Sequence, residues 1–142
     1  MENKSKILII SANYYENIFK NLNESAIETL NKNGYKSDVI FVPGAFEIPL
    51  AIKKFITNDN YIGFVALGCI IKGQTFHFEI LSHEIVRSIS SLVLKFNKPI
   101  GFGVLTCNNI SQAEERSAKN DKNKGKEAAE SCLKMIKLLS IK

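Results

Sequence analysis

Short apolar runs alternate along this chain with longer segments whose apolar residues recur at helical spacing, and this alternation limits the folds open to it. The apolar runs lie at 6–11, 38–42, 61–71 and 100–105. The helical segments lie at 13–33, 48–55 and 77–97 and in the C-terminal part, where a loop at 120–125 divides two helices. Strands that alternate with helices form a parallel sheet with helices on both faces, because each right-handed crossover passes over the sheet. The pattern therefore predicts an α/β fold with a four-stranded parallel sheet.

The length of 142 residues is typical of one domain, which we expect to span 1–142. The longest apolar stretch, 64–71, is far shorter than the ~20 residues that span a bilayer, so we expect no membrane segment. The apolar run at 7–10 is too short for the core of a signal peptide. Three cysteines without C-x-x-C spacing indicate neither a disulfide framework nor a zinc site. We therefore expect a cytoplasmic protein with reduced thiols.

The net charge of +5 comes from the C-terminal segment. Residues 1–115 carry 11 basic and 11 acidic side chains, whereas residues 116–142 carry eight basic and three acidic ones. Such a cluster can attract nucleic acid, an acidic membrane surface or a phosphorylated small molecule, although charge alone favours a solvated helix face. No aromatic residue follows Phe102, so the segment offers no stacking platform. We expect neither nucleic acid nor a membrane as a partner.

Ligands of parallel sheets bind beyond the carboxyl ends of the strands, and informative residues follow the first two strands here. Tyr14 and Tyr15 follow the first strand, where a ring can stack on a planar heterocycle or simply cap the sheet. The turn at 43–47 contains Gly44, which lets a ligand approach the backbone. Its last residue, Glu47, can accept hydrogen bonds from hydroxyl groups or stabilise the first turn of the next helix. Both alternatives stay open for each feature.

The loop at 73–75 joins a buried strand to a helix, where unpaired N–H groups favour an anion. It matches neither of the glycine-rich nucleotide-binding motifs. His77 lies in the first turn of that helix and is a candidate proton carrier, whereas His83 lies on another face, so the pair lacks metal-ligand spacing. Arg116 can bind phosphate oxygens in a bidentate manner, although spacing alone favours a surface ion pair with a nearby glutamate.

Three stretches together resemble the 6,7-dimethyl-8-ribityllumazine synthase family. They are VPGAFEIP at 42–49, LGCIIKGQTFHF at 67–78, and QAEER at 112–116 followed by NKG at 123–125. The first two are highly specific in combination, and the match covers nearly the whole chain. The resemblance implies a flavodoxin-like three-layer sandwich. It also implies a transferase of riboflavin biosynthesis that condenses 5-amino-6-(D-ribitylamino)uracil with 3,4-dihydroxy-2-butanone 4-phosphate, giving 6,7-dimethyl-8-ribityllumazine, phosphate and water without a metal or organic cofactor.

The resemblance also implies roles for individual side chains. His77 would transfer protons, Arg116 would neutralise the leaving phosphate, and Tyr14 would stack on the pyrimidine. The other substrate contacts would come from Ala45, Phe46 and Glu47 on the ribityl chain, Cys69, Ile70 and Ile71 on the ring edge, Gln74 and Thr75 on the phosphate, and Phe102, Arg116 and Lys124 of the neighbouring subunit. A site shared in this way implies a homo-oligomer, with a pentamer as the minimum and a 60-subunit capsid as the open alternative. Riboflavin synthase is a candidate partner.

The chain differs from the usual family pattern in several places, among them 118–122, which lacks the Gly-Thr-Lys-Ala-Gly-like segment associated with icosahedral members. Asn13-Tyr14-Tyr15 stands in place of Arg-Phe-Asn, and Phe76 occupies a position that a smaller residue usually holds. Two rival functions are an archaeal-type riboflavin synthase, which dismutates two lumazine molecules, and a non-catalytic flavin-binding or cage-forming protein. Archaeal-type chains usually lack the Gly-Ala-Phe-Glu and Gly-x-Thr-x-His pair that this chain contains.

Overall fold

A computed structural model describes residues 5–142, and within this range the chain forms four strands and five α-helices. The elements are β1 (Lys6–Ala12), α1 (Glu16–Lys32), β2 (Lys36–Val42), α2 (Ile48–Phe55), β3 (Tyr61–Ile71), α3 (His77–Phe96), β4 (Ile100–Cys107), α4 (Ile110–Ser117) and α5 (Lys124–Leu139). A short 3-10 turn, Ala45–Glu47, precedes α2. The alternation of strands and helices predicted from the sequence is therefore confirmed.

The four strands form one sheet in the order β2-β1-β3-β4, and every neighbouring pair is parallel. Residues of α1, α4 and α5 pack on one face and residues of α2 and α3 pack on the other, which gives the three-layer arrangement. None of the helices in the described range is long and apolar enough to cross a membrane. The carboxyl ends of all four strands meet at one edge of the sheet, and the loops that follow them are neighbours.

The central strands supply the core on both faces of the sheet. Ile7 and Ile9 of β1 pack toward α1 and α5, whereas Leu8 and Ile10 pack toward α2 and α3, and all four side chains are fully buried. The segment 63–68 of β3 is buried as well, as expected for a strand covered on both faces.

Close packing between β4 and α5 depends on a residue without a side chain. A Cβ atom on Gly101 would lie 2.0 Å from the carbonyl oxygen of Ala128, so only glycine lets α5 approach the strand this closely.

Several element boundaries differ from those expected, among them the end of β1 at Ala12 and the start of β2 at Lys36, and backbone pairing explains two of the others. The first helix begins at Glu16 rather than at residue 13, because Asn13 still donates its N–H to the carbonyl of Val42, 3.0 Å away, and so extends the sheet. The last strand continues to Cys107 rather than ending at residue 105, because Cys107 pairs with Ile71 at the end of the longer β3. A loop divides the two C-terminal helices, as predicted, but it lies at 118–123 rather than at 120–125, because α5 already begins at Lys124.

Candidate active site

A pocket of about 340 Å³ opens at the carboxyl edge of the sheet. Its walls come from the ends of β1 and β3, from the turn after β2 and from the start of α3. The lining residues are Tyr14, Tyr15, Gly44, Ala45, Phe46, Glu47, Cys69, Ile70, Ile71, His77 and Leu81. Ten of the residues singled out in the sequence therefore lie around one cavity, although they belong to four separate segments of the chain.

The turn after β2 presents backbone and a carboxylate to the pocket. Gly44 is extended, a conformation open to any residue, but a Cβ atom there would lie 3.2 Å from Oε1 of Glu47. Glycine therefore leaves room for the Glu47 side chain. That side chain makes no capping hydrogen bond to α2, whose first turn instead contains Pro49. Hence the carboxylate of Glu47 lines the cavity rather than capping the helix.

Two tyrosine rings form the wall that follows β1. The ring of Tyr14 is 72% exposed, and its centroid lies 4.8 Å from that of Tyr15 in an edge-to-face arrangement. Tyr15 is half-buried and packs against the core. Its ring therefore supports the Tyr14 ring from one side, and the other side of the Tyr14 ring stays accessible to a ligand. Burial raises the pKa of the Tyr15 phenol, and the neighbouring Cys69 and Tyr14 raise it further. The wall thus offers an accessible aromatic face and a neutral hydroxyl group.

The end of β3 supplies an apolar wall. Ile70 is buried and Ile71 is partly buried, and both line the cavity. Burial raises the pKa of the Cys69 thiol to about 12, with a smaller contribution from nearby Cys107. A thiol that stays neutral is a poor nucleophile, so Cys69 offers contact rather than covalent chemistry.

His77 is the first residue of α3, and its imidazole lines the pocket. The backbone N–H of His77 donates to Oγ1 of Thr75 at 3.3 Å, which ties the preceding loop to the start of the helix. Gln74 and Thr75 are exposed beside the pocket but do not line it. Phe76 is 79% exposed and is likewise absent from the lining, so its large ring is accommodated in solvent rather than in the cavity.

Three predicted contact residues lie away from this pocket. Phe102 projects from β4, Arg116 lies in the last turn of α4, and Lys124 begins α5. The guanidinium Nη1 of Arg116 lies 3.9 Å from Sγ of Cys107, and Nζ of Lys124 pairs with Glu127 at 3.0 Å. Within one chain, the structure does not bring these three side chains to the cavity that holds His77.

The sequence analysis missed one lining residue, Leu81. It lies four positions after His77, on the same side of α3, so the helical spacing could have identified it. An apolar residue at that spacing is usually assigned to the core, so the sequence did not distinguish Leu81 as a ligand contact. Within residues 5–142 the structure contains no group of three or more His, Cys, Asp and Glu side chains that could hold a metal ion.

The fold and the cavity define an α/β enzyme with a preformed pocket at the carboxyl edge of its parallel sheet. The pocket combines an exposed aromatic face, a carboxylate, an apolar wall and one imidazole, which suits a planar, hydroxylated substrate whose reaction moves protons.

Comparison with known proteins gives the family. A sequence model of 6,7-dimethyl-8-ribityllumazine synthase matches residues 4–140. A protein of that name from Bartonella tribocorum is 45% identical over 97% of this chain and 92% of its own length. Similar relatives with the same name occur in Blochmanniella pennsylvanica, at 41% identity over 98% of this chain and 90% of its own, and in Agrobacterium fabrum, at 44% over 95% of each. The chain belongs to the 6,7-dimethyl-8-ribityllumazine synthase family and is a transferase of riboflavin biosynthesis.

Proposed function

We propose that the pocket around Tyr14, Glu47 and His77 is the place where this transferase condenses 5-amino-6-(D-ribitylamino)uracil with 3,4-dihydroxy-2-butanone 4-phosphate. The observation that carries the proposal is the convergence of four distant segments on one cavity of about 340 Å³. The product is 6,7-dimethyl-8-ribityllumazine, and phosphate and water are released. The whole of 1–142 serves this role as one domain.

The pyrimidine occupies the aromatic and apolar side of the cavity. Its ring stacks on the exposed face of Tyr14, which Tyr15 supports from the side, and its edge contacts residues 69–71 at the end of β3. The ribityl hydroxyls donate to the carboxylate of Glu47, and the backbone of Ala45 and the ring of Phe46 flank the ribityl chain. Stacking on an aromatic side chain is worth about 1–3 kcal/mol per base, and a pyrimidine offers a comparable face.

His77 transfers protons in the reaction. Condensation of an amine with a ketone passes through a carbinolamine, which loses water when its oxygen is protonated. Elimination of phosphate from the resulting imine then requires removal of a proton from the carbon next to the imine. An imidazole is suited to both steps because it exchanges protons readily near neutral pH. His77 lines the pocket and lies directly after the loop at 73–75, and this placement supports the role.

The phosphate lies over the loop at 73–75, where Gln74, the hydroxyl of Thr75 and the start of α3 face it. Within the described range, no Lys or Arg lines the pocket. The one carboxylic acid side chain in its lining is that of Glu47. Lys72, which precedes the loop, pairs with Glu79 at 3.9 Å. The positive charge that a leaving phosphate needs must therefore come from elsewhere.

Arg116 and Lys124 supply that charge from a neighbouring copy of the chain, which also contributes Phe102. Exposed apolar side chains on α2 and α3 support an assembly, since Leu50 is 75% exposed and Leu94 is 84% exposed. An apolar groove of about 240 Å³ between Pro49, Leu50 and Leu92 lies on the same face. The assembly is a homopentamer in the cytoplasm, and riboflavin synthase is the candidate enzyme that receives the product.

Formation of the lumazine tests the reaction. Purified protein mixed with both substrates should give the absorbance of 6,7-dimethyl-8-ribityllumazine and one inorganic phosphate per product. Incubation with lumazine alone tests the archaeal-type alternative, since riboflavin would then appear without the ketone. Quenching of flavin fluorescence without any turnover would instead support a flavin-binding protein.

Mixed assemblies test whether the site is shared between chains. Coexpressed His77→Ala and Arg116→Ala chains should regain activity, because one interface in about four then combines an intact His77 with an intact neighbouring Arg116. As a matched control, His77→Ala and Glu47→Gln chains should not complement each other, since both residues line the pocket of the same chain. Failure of the first mixture would contradict the supply of Arg116 to the cavity by a neighbouring chain.

A further inference from the structure

The side-chain amide of Asn123 connects two helix ends in the interior of the protein. Asn123 is fully buried. Its Oδ1 accepts hydrogen bonds from the N–H groups of Gly125 at 2.8 Å and Lys126 at 3.1 Å, at the start of α5. Its Nδ2 donates to the carbonyl oxygens of Ser117 at 2.9 Å and Ala118 at 3.1 Å, at the end of α4. Four neighbours fix the orientation of the amide, because the flipped form would place donors against donors.

The two helix ends that Asn123 joins carry the two cations of the proposed shared site. Arg116 directly precedes Ser117, and Lys124 directly follows Asn123. We propose that Asn123 is a positioning residue, which sets the placement of Arg116 relative to Lys124 so that the pair can hold the substrate phosphate. This inference rests on the function proposed above for those two side chains.

The other side-chain links across this loop are surface ion pairs, Lys122 with Glu115 at 3.5 Å and Lys126 with Asp121 at 2.7 Å, and such pairs contribute little. Within residues 5–142, the guanidinium of Arg116 donates one hydrogen bond, to the sulfur of Cys107 at 3.9 Å, and a bond to sulfur is weak. Lys124 pairs with Glu127 one turn along its own helix, and such exposed pairs contribute little. The connecting residues 119–122 are exposed. The buried amide is therefore the rigid element between the two cationic side chains.

The backbone around Asn123 is held against α1 as well. A Cβ atom on Gly125 would lie 2.2 Å from the carbonyl oxygen of Leu22, so α5 begins in direct contact with α1. Nδ2 of Asn123 also approaches the carbonyl oxygen of Asn21 at 3.5 Å. A change at position 123 is therefore expected to move the end of α4, whereas the start of α5 stays seated on α1.

The test uses Asn123→Ser in the full-length assembled protein, because serine keeps an oxygen that can cap α5 but cannot reach both carbonyls of α4. The KM of each substrate is measured, together with the Kd of inorganic phosphate by titration calorimetry and the elution volume of the assembly. We expect the KM for the phosphorylated ketone and the Kd for phosphate to rise about tenfold, the worth of one to two neutral hydrogen bonds. The KM for the pyrimidine should stay unchanged.

Two further variants separate positioning from loss of stability. Asn33→Ser is the matched control, because it also removes an amide that donates to a helix carbonyl, that of Thr29 at 2.7 Å, and it should leave both KM values unchanged. In an Arg116→Ala background, Asn123→Ser should add little to the KM for the ketone, since it acts through the missing guanidinium.

An Asn123→Ser protein that loses stability while both KM values and the phosphate Kd stay at wild-type values would overturn the inference. The inference would also be overturned if, in the double variant, the fold-increase in the KM for the ketone equalled the product of the increases caused by Asn123→Ser and Arg116→Ala separately. If the wild type makes no lumazine but Asn123→Ser still weakens phosphate binding, the proposed function fails and the positioning role stands. A wild type that neither turns over nor binds phosphate would refute both.

Discussion

Replacement of His77 by alanine removes the only imidazole that lines the pocket within the described range. The binding groups remain, because the tyrosine wall, the carboxylate of Glu47 and the wall formed by β3 lie outside α3. We therefore expect kcat to fall while the KM of each substrate changes by less than about twofold. The contacts that bind the substrates are retained, and only an interaction made in the transition state is lost. Orientation of the two substrates should preserve a residual rate.

The exposure of His77 sets the size of the effect. A positioned general acid or base contributes about 10²–10⁴-fold to a rate. Because His77 is exposed, water can enter the space that the ring leaves and transfer part of the protons, so a loss of about a hundredfold is expected rather than the upper limit. The same opening should admit imidazole from the buffer and restore part of kcat.

Stopped-flow absorbance of the lumazine measures this effect, and the chain offers a matched control. His83, the only other histidine, is exposed on the same helix but does not line the pocket, so His83→Ala should keep the wild-type rate. Equal rates for His77→Ala and the wild type, or an equal loss in His83→Ala, would refute the assignment of proton transfer to His77.

Three further outcomes follow from packing and from shifted pKa values. Gly101→Ala would place a Cβ atom 2.0 Å from a backbone oxygen of α5, so the free energy of unfolding in urea should fall by at least about 2 kcal/mol, whereas Gly73→Ala meets nothing within 4 Å and should be neutral. The hydrogen bond from Tyr61 to Asp38, 2.7 Å long, raises the pKa of the phenol from 10.0 to about 12, mainly by favouring its protonated form. The hydrogen bond therefore stabilises the fold fully below pH 10, and this stabilisation is lost as the pH rises toward 12. In Tyr61→Phe, the free energy of unfolding should depend less on pH over this range. Because the pKa of Cys69 is raised to about 12, mass spectrometry should detect much slower alkylation by iodoacetamide than for a small-molecule thiol at neutral pH.

The pattern of apolar residues predicted the elements but not all of their ends. The strand at 61–71 was found at those bounds because its apolar run is continuous and because it is covered on both faces. The start of α1 was placed too early, since no side chain caps this helix: Tyr15 occupies the N-cap position without a capping hydrogen bond. The extension of β4 to Cys107 depends on pairing with β3, which no local pattern in 100–107 records.

The site could be predicted to the extent that it lies at the ends of strands. Tyr14, Glu47 and His77 are far apart in the sequence, yet the rule that the carboxyl ends of parallel strands share an edge brought them together in advance. Leu81 could not be distinguished from a core residue, because an apolar side chain on an amphipathic helix carries no chemical signal. The orientation of Phe76 toward solvent also depends on tertiary structure, since sequence alone gives the ring no direction.

The division of charge between the pocket and the C-terminal segment links the fold to the chemistry. The lining of the cavity combines aromatic, apolar and acidic groups with one imidazole, whereas the excess of basic residues lies beyond residue 115, from the end of α4 through the following loop and α5 to the C-terminus. A pocket of that composition suits an uncharged pyrimidine but opposes a phosphate, because the carboxylate of Glu47 adds like charge. In the proposed shared site a second copy brings the cations to the cavity, and a rigid junction such as Asn123 has a purpose in that arrangement. It would let two helices present their charges as one unit across a subunit boundary.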